Sequence, residues 1–355
     1  MNKHGIITFH RTANFGSCLQ AYALYKAVAD LGYNCELIDY RCPAIEEREG
    51  VQKHYLFTPK DILRRILYQP ITNRKYKSLL GFLEKNAQIG MEYTPATIQK
   101  ANDAYEKFIV GSDIVWGVDI TKNDYNYFLE FVRDNSKKYA FSSSVGNSDV
   151  AGADPKIPEL LKSFRQIAVR EQAANQWVRE LSGKEAQWVC DPTMLLTAQQ
   201  WNEVVKPKHY KDDYVLVYFL DNNGKCLRDA KAYAAKHGLR VKYINYGAAA
   251  VKGVQKVKPT SLQEFLGLIQ SAKFVFTASY HGMLFSLYYQ KEFVFYTRAH
   301  SDRVLSLANR LGIGENCADN MAIETYKPIC YDRVDAEIVS FREESISILT
   351  EMLQS

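Results

Sequence analysis

A histidine stands where an apolar strand pattern gives way to a helix pattern, in the segment VFTASYHGMLFS at residues 275–286. β-Branched and aromatic residues run up to Thr277, and a new apolar pattern starts at Met283, which predicts a strand, a tight turn and a helix. A side chain at such a turn lies beside the positive end of the helix dipole and beside N–H groups that can bind a phosphate. His281 is therefore a candidate general acid; the alternative is a histidine that serves only the turn.

An arginine also follows an apolar strand pattern, in the segment AVRE at residues 168–171. A guanidinium group at the end of a strand suits a carboxylate or a phosphate, because it offers several hydrogen-bond donors in one plane. Arg170 is therefore a candidate anion-binding residue. The alternative is a simple surface arrangement of Arg170 and Glu171.

Small polar residues precede the first predicted helix, in the loop FHRTANFGS that follows the first strand pattern. Asn14, Gly16 and Ser17 could hold an anion or sugar hydroxyls through their side chains and backbone N–H groups. An ordinary capped turn between a strand and a helix explains the same residues equally well.

The segment GSDIVW at residues 111–116 combines a glycine, an acid and an aromatic residue. Gly111 allows a sharp turn, and Asp113 could accept a hydrogen bond from a hydroxyl or act as a general base. Trp116 could provide a surface on which a sugar stacks. The alternative is an Asx turn followed by a buried tryptophan, and this motif alone does not decide between the two.

The elements that position these loops are short apolar strand patterns that alternate with helix patterns, a rhythm that restarts after residues 197–212. This predicts two successive α/β domains, at 1–204 and 205–330, and a C-terminal helix at 331–355 that could pack back on the first domain. Ser261 and Glu264 form a candidate capping box for one helix. In such tandem domains, ligands bind between the domains, at the carboxyl ends of the strands.

The composition places the chain among globular proteins. It has 355 residues, of which 47% are hydrophobic, and a formal net charge of +5. Because no apolar run approaches the ~18 residues of a membrane span and the start is a charged stub, we expect a cytoplasmic protein. The seven cysteines are odd in number and scattered, so neither a disulfide framework nor a zinc site is indicated.

Taken in order, these segments resemble the polysaccharide pyruvyl transferase family over nearly the whole chain. The matching segments include GSDIVW, KKYAFSSSVG, VREQAANQWVRELSG, DPTMLL and KFVFTASYHG, of which the last is the most specific. The resemblance implies an α/β fold of two Rossmann-like domains facing across a cleft, similar to the GT-B glycosyltransferases. It also implies transfer of pyruvate from phosphoenolpyruvate to a sugar, as a ketal, in surface polysaccharide biosynthesis.

The resemblance also implies roles for residues of the predicted turns. His281 and Arg170 take the catalytic positions, and Ser279 and Gly282 bind substrate in the same turn as His281. Arg303 lies in SDR, where the family has an N-x-R segment, and some members carry an arginine at the position of Ser279. Because arginines and a helix start can meet the charge of phosphoenolpyruvate, we expect no metal and no cofactor beyond this donor substrate.

A basic segment at residues 59–78 suggests how the acceptor is presented. Its single acid is Asp61, and its cations are Lys60, Arg64, Arg65, Arg74, Lys75 and Lys77. It could be a solvated pair of helices broken at Pro70, or it could contact anionic lipid or the diphosphate of a lipid-linked saccharide. The expected partners are therefore a saccharide acceptor, lipid-linked in the second interpretation, and a membrane surface, with no nucleic acid.

Two other functions remain open on the sequence. A metal-independent GT-B nucleotide-sugar glycosyltransferase would keep the fold and the histidine, whereas the lack of an Asp-x-Asp motif argues against a metal-dependent one. A non-catalytic sugar-binding relative would keep the fold without turnover, although the presence of both Arg170 and His281 argues against it. A dinucleotide enzyme is disfavoured, because no Gly-x-Gly-x-x-Gly follows the first strand pattern.

Overall fold

The computed structural model describes residues 3–49, 59–146, 148–219, 224–298 and 302–355, with the backbone alone described for 59–68. The chain divides into two units. The first contains the described residues of 1–54, 76–196 and 339–355, and the second those of 55–75 and 197–338.

The first unit is built on a parallel sheet whose described strands follow the order β3-β2-β1-β4-β5-β6-β7. Strand β1 lies inside the sheet and places Ile6 beside Leu37 on one side and beside Ile109 on the other. Because all of these strands run the same way, their carboxyl ends lie along one edge of the sheet. The strands are β1 (His4–Ile7), β2 (Cys35–Tyr40), β3 (Ile89–Tyr93), β4 (Lys107–Val110), β5 (Lys138–Ser143), β6 (Gln166–Val169) and β7 (Gln187–Trp188).

The second unit has a parallel sheet of its own, in the order β10-β9-β8-β11-β12 among the described strands. Its central strand reads YVLVY and is buried at every position, as expected for a strand covered on both faces. The strands are β8 (Tyr214–Tyr218), β9 (Arg240–Ile244), β10 (Gln255–Val257), β11 (Phe274–Thr277) and β12 (Phe293–Phe295).

Helices alternate with the strands in both units, so the predicted α/β class with two Rossmann-like units is confirmed. Each unit has a hydrophobic core of its own. The helices are α1 (Phe15–Asp30), α2 (Pro43–Arg48), α3 (Pro59–Asn86), α4 (Val118–Thr121), α5 (Ile157–Lys162), α6 (Gln172–Ser182), α7 (Ala198–Val205), α8 (Gly224–His237), α9 (Leu262–Gln270), α10 (Tyr280–Tyr288), α11 (Asp302–Arg310) and α12 (Tyr331–Gln354). Among the described residues, no helix is long and apolar enough to cross a membrane.

The division of the chain differs from the one expected at residues 204 and 205. Helix α7 belongs to the second unit, because Trp201 packs edge-to-face on Phe285 of α10 with ring centroids 5.5 Å apart. The last part of α12 belongs to the first unit, where Ser345 accepts a hydrogen bond from the backbone N–H of Cys190 at 2.9 Å.

The basic segment forms part of one helix, so the expected break at Pro70 is wrong. Helix α3 runs through this proline, and fully buried Leu79 and Leu83 anchor its second half. Residues 59–75 of α3 group with the second unit and residues 76–86 with the first. The side chains of Arg64 and Arg65 lie outside the described residues, so their proposed contact with lipid remains a prediction.

The predicted capping box is present only in part. Ser261 caps α9, with its hydroxyl accepting from the backbone N–H of Glu264 at 3.2 Å. The Glu264 carboxylate accepts from the backbone N–H of Thr260 at 2.7 Å, one residue before the cap. The helix start is therefore confirmed, with the reciprocal bond displaced by one residue.

Candidate functional site

The turn after β11 joins a strand to a helix as predicted. Ser279 is the N-cap of α10, because its hydroxyl accepts from the backbone N–H of Gly282 at 3.3 Å. Thr277 accepts from the backbone N–H of Ser279 at 3.0 Å, which fixes the cap. The helix begins at Tyr280, earlier than the apolar pattern indicated, so His281 lies within its first turn.

Gly282 has a packing role in this turn. A Cβ atom at this position would lie 2.4 Å from Oγ1 of Thr277 and 2.9 Å from Cδ1 of Tyr218. Glycine is therefore needed because α10 approaches β8 and β11 too closely for a side chain. Whether its backbone also meets a substrate remains a prediction.

Tyr280 contacts both predicted donor-binding side chains of the second unit. Its ring packs edge-to-face on His281, with centroids 5.5 Å apart, and Cζ of Arg303 lies 5.8 Å from its centroid. His281 is 9% exposed, and Arg303 lies in the first turn of α11. The fold thus gathers an imidazole and a guanidinium around one tyrosine at a helix N-terminus, an arrangement that suits an anion.

Arg170 lies at the end of β6 in the first unit and is buried in an ion pair. Its Nη1 donates to Asp191 Oδ2 at 2.9 Å, and neither side chain is exposed. Oδ1 of Asp191 accepts from the backbone N–H and hydroxyl of Thr193 at 2.9 and 2.7 Å. The alternative of a surface arrangement with Glu171 is wrong, because Glu171 is buried as well. Binding of an anion by Arg170 remains a prediction.

The contacts of Arg170 with Asp191 and with the loop after β4 are not predicted by the sequence. Nη1 of Arg170 also lies 3.4 Å from the Ser112 hydroxyl, next to Asp113. One signal for Asp191 was readable, since an Asp followed by a proline typically starts a helical turn, as it does here.

Ser17 and Asp113 come together from two loops that the sequence presents separately. The Ser17 hydroxyl donates to Asp113 Oδ2 at 2.5 Å. Oδ1 of Asp113 accepts from the backbone N–H of Ile114 at 2.9 Å, and Asn14 caps α1 by accepting from Gly16 at 2.9 Å. The capped turn proposed as the alternative for the first loop is therefore present, and its third helical residue holds the acid of the second loop.

The loop after β4 depends on Gly111 and buries Trp116. Gly111 has a φ of +145°, and a Cβ there would lie 1.9 Å from the carbonyl oxygen of Phe141, so the predicted glycine turn is confirmed. The interpretation of Trp116 as a sugar-stacking surface is corrected. Its ring is 2% exposed, stacks on Phe128 at 5.4 Å and on Trp177 at 6.4 Å, and is a core residue.

Gln20 connects the two loops, a role that the sequence did not suggest. Its side-chain carbonyl accepts from the backbone N–H of Ser112 at 3.1 Å. Its amide donates to the carbonyl of Ser17 and to the hydroxyl of Thr8, both at 2.9 Å. Because Gln20 is fully buried, these bonds fix the spacing between the loops that carry Ser17 and Asp113.

A charged cluster joins the start of the first loop to the end of β2. Arg11 donates to both carboxylate oxygens of Asp39, and His10 Nε2 lies 3.0 Å from Oδ1. Burial raises the pKa of Asp39, but hydrogen bonds from Arg11 and His10 lower it by more, so its pKa lies below the usual range. The cluster therefore anchors the start of the first loop with a carboxylate that stays ionised.

The fold and these sites define a two-unit Rossmann-like α/β protein with polar side chains at the carboxyl ends of its parallel strands. The model of the family described as polysaccharide pyruvyl transferase matches residues 14–300, and the chain belongs to that family. The match includes the loops of Ser17, Asp113, Arg170 and His281 and ends before Arg303. No curated protein sequence matches the chain.

Solved structures with a similar fold share little sequence with this chain. The UDP-GlcNAc 2-epimerase from Neisseria meningitidis, bound to UDP-GlcNAc, is 8% identical with a TM-score of 0.50, and the similarity covers 100% of both chains. The glycosyltransferase SnogD from Streptomyces nogalater is 11% identical, with a TM-score of 0.42 over 99% of both chains. MurG from Acinetobacter baumannii is 10% identical, with a TM-score of 0.43 over 100% of this chain and 99% of its own. At such identities the likeness concerns the fold alone.

Proposed function

We propose that this protein transfers pyruvate from phosphoenolpyruvate to two hydroxyls of a sugar, forming a cyclic ketal during surface polysaccharide biosynthesis. The observation that carries the proposal is the grouping of His281 and Arg303 around Tyr280 at the start of α10. Phosphoenolpyruvate carries a carboxylate and a phosphate on one small carbon frame. It therefore needs fixed cations and helix ends of the kind found here.

In ketal formation, His281 is the group that supplies a proton to the donor. The enol carbon C3 of the donor gains a proton, which creates a cationic centre at C2. The first sugar hydroxyl adds to C2, and the second displaces phosphate. The two hydroxyls lose two protons in total. One replaces the proton that C3 gained to become a methyl group, and the other leaves with phosphate. A histidine whose ring packs perpendicular to that of Tyr280, with a bound phosphate beside it, is suited to hold and deliver the first proton.

Arg303 binds the donor, whereas Arg170 positions a loop of the first unit. The Arg303 guanidinium forms charge-assisted hydrogen bonds with the donor, and Ser279 fixes the turn that presents His281. Nη1 of Arg170 pairs with Asp191 and also contacts the hydroxyl of Ser112. Its buried position favours a positioning role for the loop of Asp113 over direct contact with the donor.

Donor binding separates this function from nucleotide-sugar transfer. Phosphoenolpyruvate at one hundred times its dissociation constant should raise the free energy of unfolding by ~2.7 kcal/mol, whereas UDP and UDP-GlcNAc should leave the melting temperature unchanged. Arg303→Met should weaken phosphoenolpyruvate binding by roughly 10- to 100-fold, and Arg240→Met, which changes an exposed arginine of the same unit, should not. The opposite ranking of ligands would instead support a glycosyltransferase.

A metal is not part of the proposal, because the charges of Arg303 and of the α10 N-terminus can meet those of the donor. Phosphate release should therefore continue in the presence of EDTA at the untreated rate. Loss of turnover in EDTA that magnesium restores would contradict this point.

The acceptor is proposed to be a lipid-linked saccharide presented near α3. Arg74 and Lys77 are exposed on this helix, and Lys75 lies over the ring of Tyr246, 4.9 Å from its centroid. Exposed cations on one helix suit anionic headgroups or a diphosphate linker.

A further inference from the structure

The ring of Tyr280 contacts two side chains that the proposed function uses. The imidazole of His281 lies at 88° to it, with ring centroids 5.5 Å apart. Cζ of Arg303, on helix α11, lies 5.8 Å from the centroid of the same ring. Tyr280 is 6% exposed, so close packing restricts its ring while the ring makes both contacts.

The backbone that carries this ring is fixed on both sides. Before it, the hydroxyl of Thr277 accepts from the backbone N–H of Ser279 at 3.0 Å, and Ser279 caps α10. After it, Gly282 lies too close to β8 and β11 for a side chain. Tyr280 is therefore held at a defined place at the start of α10, where a ring can serve as a fixed support.

Arg303 benefits from such a support. It is the second residue of α11, where the positive end of the helix dipole disfavours a cation. A long side chain of this type also loses rotamer freedom when it binds a ligand, and this loss weakens binding. The electron-rich face of an aromatic ring attracts a guanidinium, so it can order the side chain before the donor arrives.

The same ring restricts the direction of the imidazole. Consecutive side chains on a helix do not usually face each other, yet the rings of Tyr280 and His281 are packed together in the first turn of α10. Proton transfer depends on this direction, because a general acid must lie within hydrogen-bond reach of the atom that it protonates.

We propose that Tyr280 is a positioning residue of the second unit; this inference rests on the proposed pyruvyl transfer. Its ring keeps Arg303 ready to bind phosphoenolpyruvate and keeps the imidazole of His281 directed at the bound donor. Tyr280 exchanges no proton with the donor, so a phenyl ring can replace it.

Two substitutions separate the ring from its hydroxyl. Tyr280→Leu keeps an apolar side chain but removes the ring, so the affinity for phosphoenolpyruvate should fall by roughly 5- to 30-fold, as expected for a lost cation–π contact. Tyr280→Phe keeps the ring and should bind phosphoenolpyruvate within about twofold of the wild-type protein. Isothermal titration calorimetry measures both affinities.

Tyr233→Leu is the matched control. Tyr233 belongs to the same unit, and its ring stacks on that of His237 in α8 with centroids 4.2 Å apart. The control therefore also removes a tyrosine ring from a histidine, but it should leave the affinity for phosphoenolpyruvate unchanged. A loss as large as that in Tyr280→Leu would overturn the proposal, because it would show that the donor site responds to any such truncation.

A double variant tests whether the ring acts through the arginine. In an Arg303→Met background, Tyr280→Leu should lower the affinity for phosphoenolpyruvate no further, because the guanidinium that the ring holds is absent. An equal loss of affinity with and without Arg303 would refute the positioning of that side chain.

Nuclear magnetic resonance of the histidine rings tests the second contact. The ring resonances of His281 are assigned by their loss in His281→Asn. Saturating phosphoenolpyruvate should shift them equally in the wild-type protein and in Tyr280→Phe, and by much less in Tyr280→Leu, because the imidazole is then no longer held towards the donor. An equal shift in Tyr280→Leu would show that the ring does not direct His281.

The outcomes separate this inference from the proposed function. If the wild-type protein does not bind phosphoenolpyruvate, the proposed function falls and the role of Tyr280 falls with it. If the wild-type protein binds phosphoenolpyruvate and Tyr280→Leu binds it equally well, the positioning role alone is overturned. The same conclusion follows if Tyr280→Phe loses as much affinity as Tyr280→Leu, because the hydroxyl would then matter and not the ring.

Discussion

Removing the charge of Arg170 tests whether its ion pair with Asp191 is structural. Both side chains are fully buried, and Nη1 lies 2.9 Å from Oδ2. Arg170→Met would leave the Asp191 carboxylate in the interior without its cation, although the donors of Thr193 remain. Breaking a buried pair by removing one partner costs about 3–5 kcal/mol, so a loss of that size in the free energy of unfolding is expected.

A second substitution determines how much of this loss comes from the unpaired carboxylate. Asp191→Asn keeps an oxygen that can accept from Thr193 and so keeps the helical turn that follows β7. Because the double variant no longer buries the charge of Asp191, Arg170→Met combined with Asp191→Asn should be more stable than Arg170→Met alone. The coupling energy between the two positions should then be about 1–3 kcal/mol.

Urea unfolding followed by tryptophan fluorescence suits this measurement. Three of the four tryptophans, Trp116, Trp177 and Trp188, belong to the first unit, as does the pair. A loss below about 1 kcal/mol for Arg170→Met would refute the reasoning, because it would mean that water solvates Asp191 once the arginine is gone. Weakened phosphoenolpyruvate binding by a variant of unchanged stability would return Arg170 to a donor-binding role.

Three further predictions concern other sites. His281→Asn should lower the rate of phosphate release by roughly 10²- to 10⁴-fold and weaken donor affinity far less, and near-normal turnover would leave the histidine a structural residue. Replacing Arg74 and Lys77 with serine should weaken binding to vesicles of phosphatidylglycerol by about 2 kcal/mol, with phosphatidylcholine vesicles as the control. Equal binding of the phosphatidylglycerol vesicles by the wild-type protein and the double variant would count against a lipid contact. The pKa of Asp39 is lower in the folded protein than in the unfolded chain. Ionised Asp39 therefore stabilises the folded protein fully above the unfolded-state pKa of about 3.9, and this contribution is lost as the pH falls through the folded-state pKa. Asp39→Asn should therefore lower the melting temperature by a constant amount between about pH 5 and pH 8, and that difference should shrink in stronger acid; a difference that grows in acid would contradict the assignment.

The alternation of apolar runs and helix patterns predicted the two parallel sheets because this signal is local. The start of α10 shows the limit of apolar periodicity, since Tyr280 and His281 belong to the helix although the apolar pattern begins at Met283. The N-cap residue Ser279, three positions before Gly282, is a sequence signal that places the start correctly.

The contacts that build the first-unit site could not be predicted in this way. Ser17 and Asp113 lie 96 positions apart, and Arg170 and Asp191 lie 21 apart, so the order of the strands in the sheet decides both pairs. The sequence presents Trp116 next to a polar loop, and only the packing of Phe128 and Trp177 against its ring reveals that it is part of the core. The sequence of a single chain does not show which distant residues contact one another.

In the proposed pyruvyl transfer the two substrates differ in charge, because phosphoenolpyruvate is an anion and the sugar hydroxyls are neutral. A carboxylate 4 Å from the donor phosphate would oppose binding by ~4 kcal/mol at an effective dielectric constant of 20, whereas a guanidinium favours it by a similar amount. Around Tyr280, the second unit supplies His281 and Arg303. The first unit cancels Arg170 with Asp191 and keeps Asp113 partly exposed. A neutral sugar does not meet this penalty, so the cations around Tyr280 agree with the anionic donor that is proposed to bind there.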